Sequence, residues 1–247
     1  MATMLMLPYL AAVTVEAPLN VTPIFGAVLS WNASEYATRL ARWEALASTM
    51  VESSEPQSKC DNDLRSNVPS CTQSGAMWCW ATAISAFTEY YTSKGPAQCR
   101  GLECQVVGWC PKPPDCSTSK AQCCPFEKHP ECGRDGASPS MIQEAATHFT
   151  GKEHTDFGGP MPQAALDSEL QAGNPVMMLV GAGQSATHVV WLRGCSAGKY
   201  YFWDPEWSDA HGGVYPKGSD VRSYSELLKF TYPSGYILKW LDTIHRA

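Results

Sequence analysis

Gln73-Ser-Gly-Ala-Met-Trp-Cys79-Trp-Ala-Thr-Ala-Ile-Ser-Ala-Phe-Thr-Glu-Tyr-Tyr91 is the stretch from which the rest of the chain can be read. Its second half predicts a helix. Trp80, Ile84, Phe87 and Tyr91 fall at i, i+4, i+7 and i+11 and share one face. Alanines between them favour the helical state, and Gly95-Pro96 stops it. Cys79 therefore lies in the first turn or just before it. There the unpaired backbone N–H groups and the positive end of the helix dipole favour negative charge on sulfur. Gln73 stands upstream across a Ser-Gly turn, so its side-chain amide can fold back beside the sulfur. A cysteine next to a neutral hydrogen-bond donor can attack a carbonyl and hold the oxyanion that forms. The same stretch also reads as a buried cysteine in a Trp-rich core helix.

The length of 247 residues suits one sizeable domain, or one domain with an appendage. A net charge of −6 without a basic block argues against nucleic-acid binding. No apolar run is long enough for a stable membrane span. The eleven cysteines suggest an oxidising compartment, hence a secreted protein or one of the secretory lumen. Because their number is odd, at least one is left over, and Cys79 is the best candidate for a free thiol. Cysteine spacings of four to seven residues plus one adjacent pair do not suit a zinc site, which needs closer pairs or a Cys/His alternation.

Residues 1–17 resemble the hydrophobic part of a secretory signal, although no Lys or Arg precedes them. Asn20-Val-Thr22 and Asn32-Ala-Ser34 match the glycosylation sequon. Residues 18–58 form an N-terminal segment with one helix over residues 33–51. Its stripe is Tyr36, Leu40, Trp43, Ala47 and Met50, and Asn32 with Glu35 makes a capping box. That helix either packs on the main domain or belongs to a removable pro-segment. The main domain spans residues 59–247. Within it, residues 95–137 hold seven cysteines and Pro111-Lys-Pro-Pro114, which reads as a loop-rich, disulfide-stapled insert and not as a packed helix. Helices are expected from Ser138-Pro139 to about Thr150 and from Gln163 to Gln171. Strands follow at residues 175–180, 186–192 and 199–203. Residues 236–240 suit a strand or a helix. Helices first and an antiparallel sheet afterwards indicate an α+β fold.

Cysteine catalysis needs a base, and six histidines are available. His129, His154 and His211 fall in loops, His148 near a helix end and His245 close to the terminus. His188 differs, because it starts an apolar strand directly after the turn Gly181-Ala-Gly-Gln-Ser185. The base needs an acceptor for its second nitrogen. A hairpin between residues 189–192 and 200–203 returns the chain so that Asp204, in Trp203-Asp204-Pro205, lands near His188. Taken alone, Asp204 reads equally as a turn aspartate before proline.

The order Gln73…Cys79-Trp80-Ala81, Leu170-Gln-Ala-Gly-Asn-Pro-Val176, Thr187-His188-Val-Val-Trp-Leu and Tyr201-Phe-Trp-Asp204-Pro205 resembles the papain-like cysteine peptidases. Within that clan it is most similar to the group holding bacteriocin-processing and secreted bacterial effector peptidases. The resemblance covers roughly residues 71–204. It implies a helix carrying the nucleophile packed against a small antiparallel sheet, with the site in the cleft between them. It further implies Cys79 as nucleophile, His188 as general acid/base, Asp204 as the residue orienting it and Gln73 as oxyanion-hole donor. A peptide or protein substrate and no cofactor follow from the same resemblance. Thr82, where relatives often carry a second alanine, and the cysteine-rich insert depart from the pattern. Two alternatives stay open: a secreted disulfide-rich binding module on an inactive peptidase fold, and an acyltransferase or amidase using the same residues.

Overall fold

The continuous apolar run Val176-Met-Met-Leu-Val180 belongs to a strand covered on both faces. In the computed structural model, which describes residues 31–52, 58–74, 78–92, 99–109, 137–183, 186–206, 220–231 and 237–247, that strand is central. The elements in chain order are α1 (Ala33–Glu52), β1 (Asn62–Asp63), α2 (Cys79–Thr92), α3 (Cys99–Gly108), α4 (Pro139–Thr150), β2 (His154–Asp156) and α5 (Gln163–Gln171). They continue with β3 (Val176–Gly183), β4 (Ala186–Ser196), β5 (Lys199–Trp203), β6 (Asp220–Arg222), α6 (Tyr224–Leu228), β7 (Lys229–Thr231) and β8 (Ile237–Arg246). Among the described residues the strands form one antiparallel sheet in the order β2-β8-β3-β4-β5-β6, with β1 added to β4 and β7 to β8. The fold is α+β.

Strand alternation sorts the core into two layers. Met177, Leu179, Val189 and Trp191 face α2, α3 and α4, meeting Trp80, Ile84, Phe87, Val106 and Ile142. Val176, Met178, Val180, Val190 and Leu192 face the other way, onto Leu166 and Leu170 of α5 and Leu227 of α6. Helix α2 is buried from Cys79 to Glu89, polar residues included, so it is a central helix and not the one-faced helix its apolar period suggests. Tyr91, placed on the inner face by that period, is only half-buried.

Local chemistry sets the helix ends. Asn32 Oδ1 accepts from the Glu35 N–H at 2.9 Å and Glu35 Oε2 from the Asn32 N–H at 3.1 Å, the reciprocal capping box expected for α1. Ser138 caps α4 through the Met141 N–H, and Gly151 closes it at φ 66°. Helix α1 packs on β8 and α6, and its Trp43 Nε1–H donates to the Leu228 carbonyl at 2.7 Å.

The antiparallel sheet includes short strands, β1, β2, β6 and β7, that carry too little pattern to be read from sequence. Residues 237–246 form a long strand, β8, pairing with β3 and thereby settling the ambiguous C-terminal segment. Within the insert, residues 99–108 form a helix, α3, and not loop. Glu103, Cys104, Val106 and Val107 are buried on its inner side against α2, a pattern hidden by the cysteine spacing. Residues 1–17, the sequon at Asn20, the segment Pro111-Lys-Pro-Pro114 and Cys110, Cys116, Cys123, Cys124 and Cys132 lie outside the described residues.

Candidate active site

Cys79 is the first residue of α2, so its backbone N–H has no partner within the helix. Its side chain is fully buried, and it is the free cysteine among the described residues. Cys60, Cys71, Cys104 and Cys195 are all disulfide-bonded, Cys60 to Cys195. The Val189 N–H of β4 donates to Cys79 Sγ at 3.3 Å. No sequence rule reveals this contact, because the donor is main chain and only the pairing of β4 aims it at the sulfur.

His188 is the third residue of β4, paired with Val180 of β3. Its Nε2 lies 2.7 Å from Asp204 Oδ1, and both side chains are buried. The Cys79 side chain lies beside the His188 ring, close enough to act on its charge. With Nε2 taken by Asp204, Nδ1 is the nitrogen left for sulfur. Burial disfavours the imidazolium, but the Asp204 carboxylate and Cys79 next to it outweigh burial, and His188 titrates well above the usual histidine range. Asp204 Oδ1 also accepts from the Glu206 N–H at 2.9 Å, which fixes the carboxylate in its turn. The register of β4 on β5, Trp191 opposite Trp203 and Leu192 opposite Phe202, is what carries Asp204 back to His188.

Gln73 lies in an irregular segment, residues 71–74, that runs past the end of β5. The Trp203 indole N–H donates to the Cys71 carbonyl at 2.8 Å, and the Gln73 N–H donates to the Pro205 carbonyl at 2.9 Å. These bonds bring the glutamine alongside the Asp204 turn. Trp203 is held in turn by the Arg193 guanidinium, 4.6 Å above its ring. Sequence reasoning used Trp203 only as a motif letter, and its role as a tie between β5 and the Gln73 segment has no sequence signature. Upstream of that segment the chain around β1 is held to β4, where the Leu64 N–H donates to the Arg193 carbonyl at 3.1 Å and Cys60 bonds to Cys195.

The other described histidines are engaged elsewhere. His154 is buried in β2 with Nδ1 2.8 Å from the Lys152 carbonyl, and burial lowers its pKa. His148 stacks on Trp109 with ring centroids 5.0 Å apart, and His245 lies 3.5 Å from Glu169. His129 and His211 lie outside the described residues. Among the described residues no helix is long and apolar enough to cross a membrane.

What the arrangement can do is transfer a proton from a thiol to an imidazole whose far side is held by a carboxylate. Cys79 has no exposed surface. Neither a family model nor a curated protein matches the sequence. The structure is similar to a crystal structure from Bacillus anthracis described as that of a C39-like peptidase. The TM-score is 0.45 with 12% identity, over 76% of this chain and 98% of that one.

Proposed function

We propose that the protein is a papain-like cysteine peptidase that hydrolyses peptide bonds and works in an oxidising compartment. The observation that carries this reading is the grouping of Cys79, His188 and Asp204, brought from three separate places in the chain and buried together, with His188 on the Asp204 carboxylate and the next N–H of β4 on Cys79 Sγ. Buried ionisable groups in mutual contact are costly, and such a cluster is better explained by chemistry than by packing.

In the proposed reaction His188 holds the Cys79 proton, and the sulfur attacks the scissile carbonyl carbon. The oxyanion takes hydrogen bonds from the Cys79 N–H and the Gln73 amide, each worth about 3 kcal/mol in the transition state. His188 returns the proton to the departing amine, leaving a thioester on Cys79. Water deprotonated by His188 then releases the acid product and the free thiol. Asp204 keeps the ring oriented and offsets the charge of the imidazolium. The disulfides at Cys60, Cys71, Cys104 and Cys195 support a secretory location. The motif order further favours the group of bacteriocin-processing and secreted effector peptidases.

The test is digestion of a complex peptide library by the wild type and by Cys79→Ala, with new N-termini identified by mass spectrometry. Cleavage by the wild type alone is expected. No cleavage by either, or equal cleavage by both, would sink the peptidase reading.

A further inference from the structure

Two departures of this chain from the papain-like pattern, Thr82 and the cysteine-rich insert, meet at one buried carboxylate. Glu103 lies in α3, at the start of the insert, and is fully buried. Its Oε1 accepts from the Ser74 N–H at 3.0 Å. The same oxygen accepts from the hydroxyl of Thr82, which is also buried and lies one turn after Cys79 on α2. Thr82 Oγ1 also lies 2.8 Å from the carbonyl of Trp78, the residue before Cys79, so its one proton is shared between that carbonyl and the carboxylate. One carboxylate oxygen therefore clamps the residue after Gln73 to the helix that begins with Cys79.

We propose that Glu103 is a positioning residue that sets the Gln73 segment against Cys79 and so builds the oxyanion hole. The proposal rests on the reading of Cys79 as an acyl-transfer nucleophile with Gln73 as an oxyanion donor. A buried carboxylate is expensive unless it is hydrogen-bonded, and its Oε1 bonds to the residue after Gln73 on one side and to the Cys79 helix on the other. From the other side the segment is held by Trp203 on Cys71 and Pro205 on Gln73, so Glu103 supplies the third point that fixes it relative to α2. Thr82 is then no neutral replacement of alanine, because its hydroxyl orients the carboxylate. A misplacement of about 1 Å in such a donor costs on the order of 100-fold in rate.

Two reactions of Cys79 separate positioning from general support. p-Nitrophenyl acetate acetylates the sulfur through a tetrahedral oxyanion, and p-nitrophenolate leaves. Iodoacetamide alkylates it by direct displacement of iodide and forms no oxyanion. Both reagents need the same access to the sulfur, so the ratio of the two rates, mapped to Cys79 by mass spectrometry, reports the oxyanion hole alone. In Glu103→Leu acetylation is expected to fall about 10- to 100-fold with alkylation within about 2-fold. Glu103→Gln, which keeps the acceptor oxygen, is expected to restore most of the ratio. Thr82→Val, which preserves shape and deletes the hydroxyl, should lower the ratio by a smaller factor and serves alone if Glu103→Leu does not fold. An unchanged ratio, or both reactions falling together, would overturn the proposal. Failure of wild-type Cys79 to be acetylated would remove acyl transfer itself and Glu103's role with it. A ratio that falls as expected in a protein that cleaves no peptide would leave Glu103 standing and the peptidase reading refuted.

Discussion

Asp204 touches His188 through one oxygen, and that oxygen also accepts the Glu206 N–H, so the carboxylate is pinned before it orients the ring. Replacing it with Asn keeps the shape but lets the amide present its N–H₂ to Nε2, which favours the wrong tautomer. Asp204→Asn is therefore expected to lower kcat by about 10²- to 10⁴-fold with little change in KM, measured on any cleaved peptide. The His188 titration carries a separate prediction about stability. A folded-state pKa raised above the usual 6.5 means the imidazolium stabilises the fold fully at pH values below the unfolded pKa. That contribution is lost as pH rises through the folded-state value. Urea midpoints of wild type and His188→Gln should therefore converge as pH is raised from neutral into the alkaline range. A gap that widened with pH would contradict the assignment of charge. Cys79, His188, Asp204 and Gln73 were open to nomination as candidates from the sequence, through helix-start and turn chemistry. Glu103 and the Val189 N–H were not. One hides among insert cysteines, and the other is main chain, whose direction only pairing decides.

At the scale of elements, the β4–β5 hairpin does most to assemble the site, and its irregularity depends on Gly194. That residue sits at φ 115°, and a Cβ there would lie 2.2 Å from the Asn62 backbone oxygen. Gly194→Ala should destabilise the protein by about 2 kcal/mol or more, seen as a lowered Tm, by forcing β1 away from β4. Helix α1 offers a contrasting case. Arg39 Nη2 lies 2.7 Å from both Asp156 and Asp242, the latter fully buried. Burial and then Asp156 push the Asp242 carboxyl well up, while Arg39 holds it down. Arg39→Met removes the cation that both acidic side chains share, leaves the buried Asp242 carboxyl without it, and should cost about 3 kcal/mol. Amide exchange in α1 should quicken while acetylation of Cys79 is unchanged, since α1 lies on β8 and α6, away from Cys79. Helices α1, α4 and α5 and strand β5 could be read from caps and periods. Helix α3 could not, because burial against α2 is a tertiary fact, and the short strands exist only through their neighbours.

Across the whole molecule, long-range ties converge on the Gln73 segment. The chain leading into it is anchored at Cys60–Cys195, and the segment itself bonds to Trp203 and Pro205 at the end of β5 and to Glu103 of α3. The Cys60–Cys195 bridge spans 135 residues, so replacing both cysteines with serine should cost about 2–5 kcal/mol in denaturant unfolding. The α+β order was legible from the change of period along the chain, whereas the two-sided burial of the sheet was visible only as one continuous apolar run in β3. The central claim is that Cys79 forms a covalent acyl intermediate with His188 as its base. It is tested most directly by acid-quenching the protein during turnover of a peptide ester and mapping the adduct by mass spectrometry. The account predicts an acyl group on Cys79 that rises and decays in the wild type and is absent in His188→Ala. Product release with no adduct on Cys79, or an adduct on another residue, would contradict it.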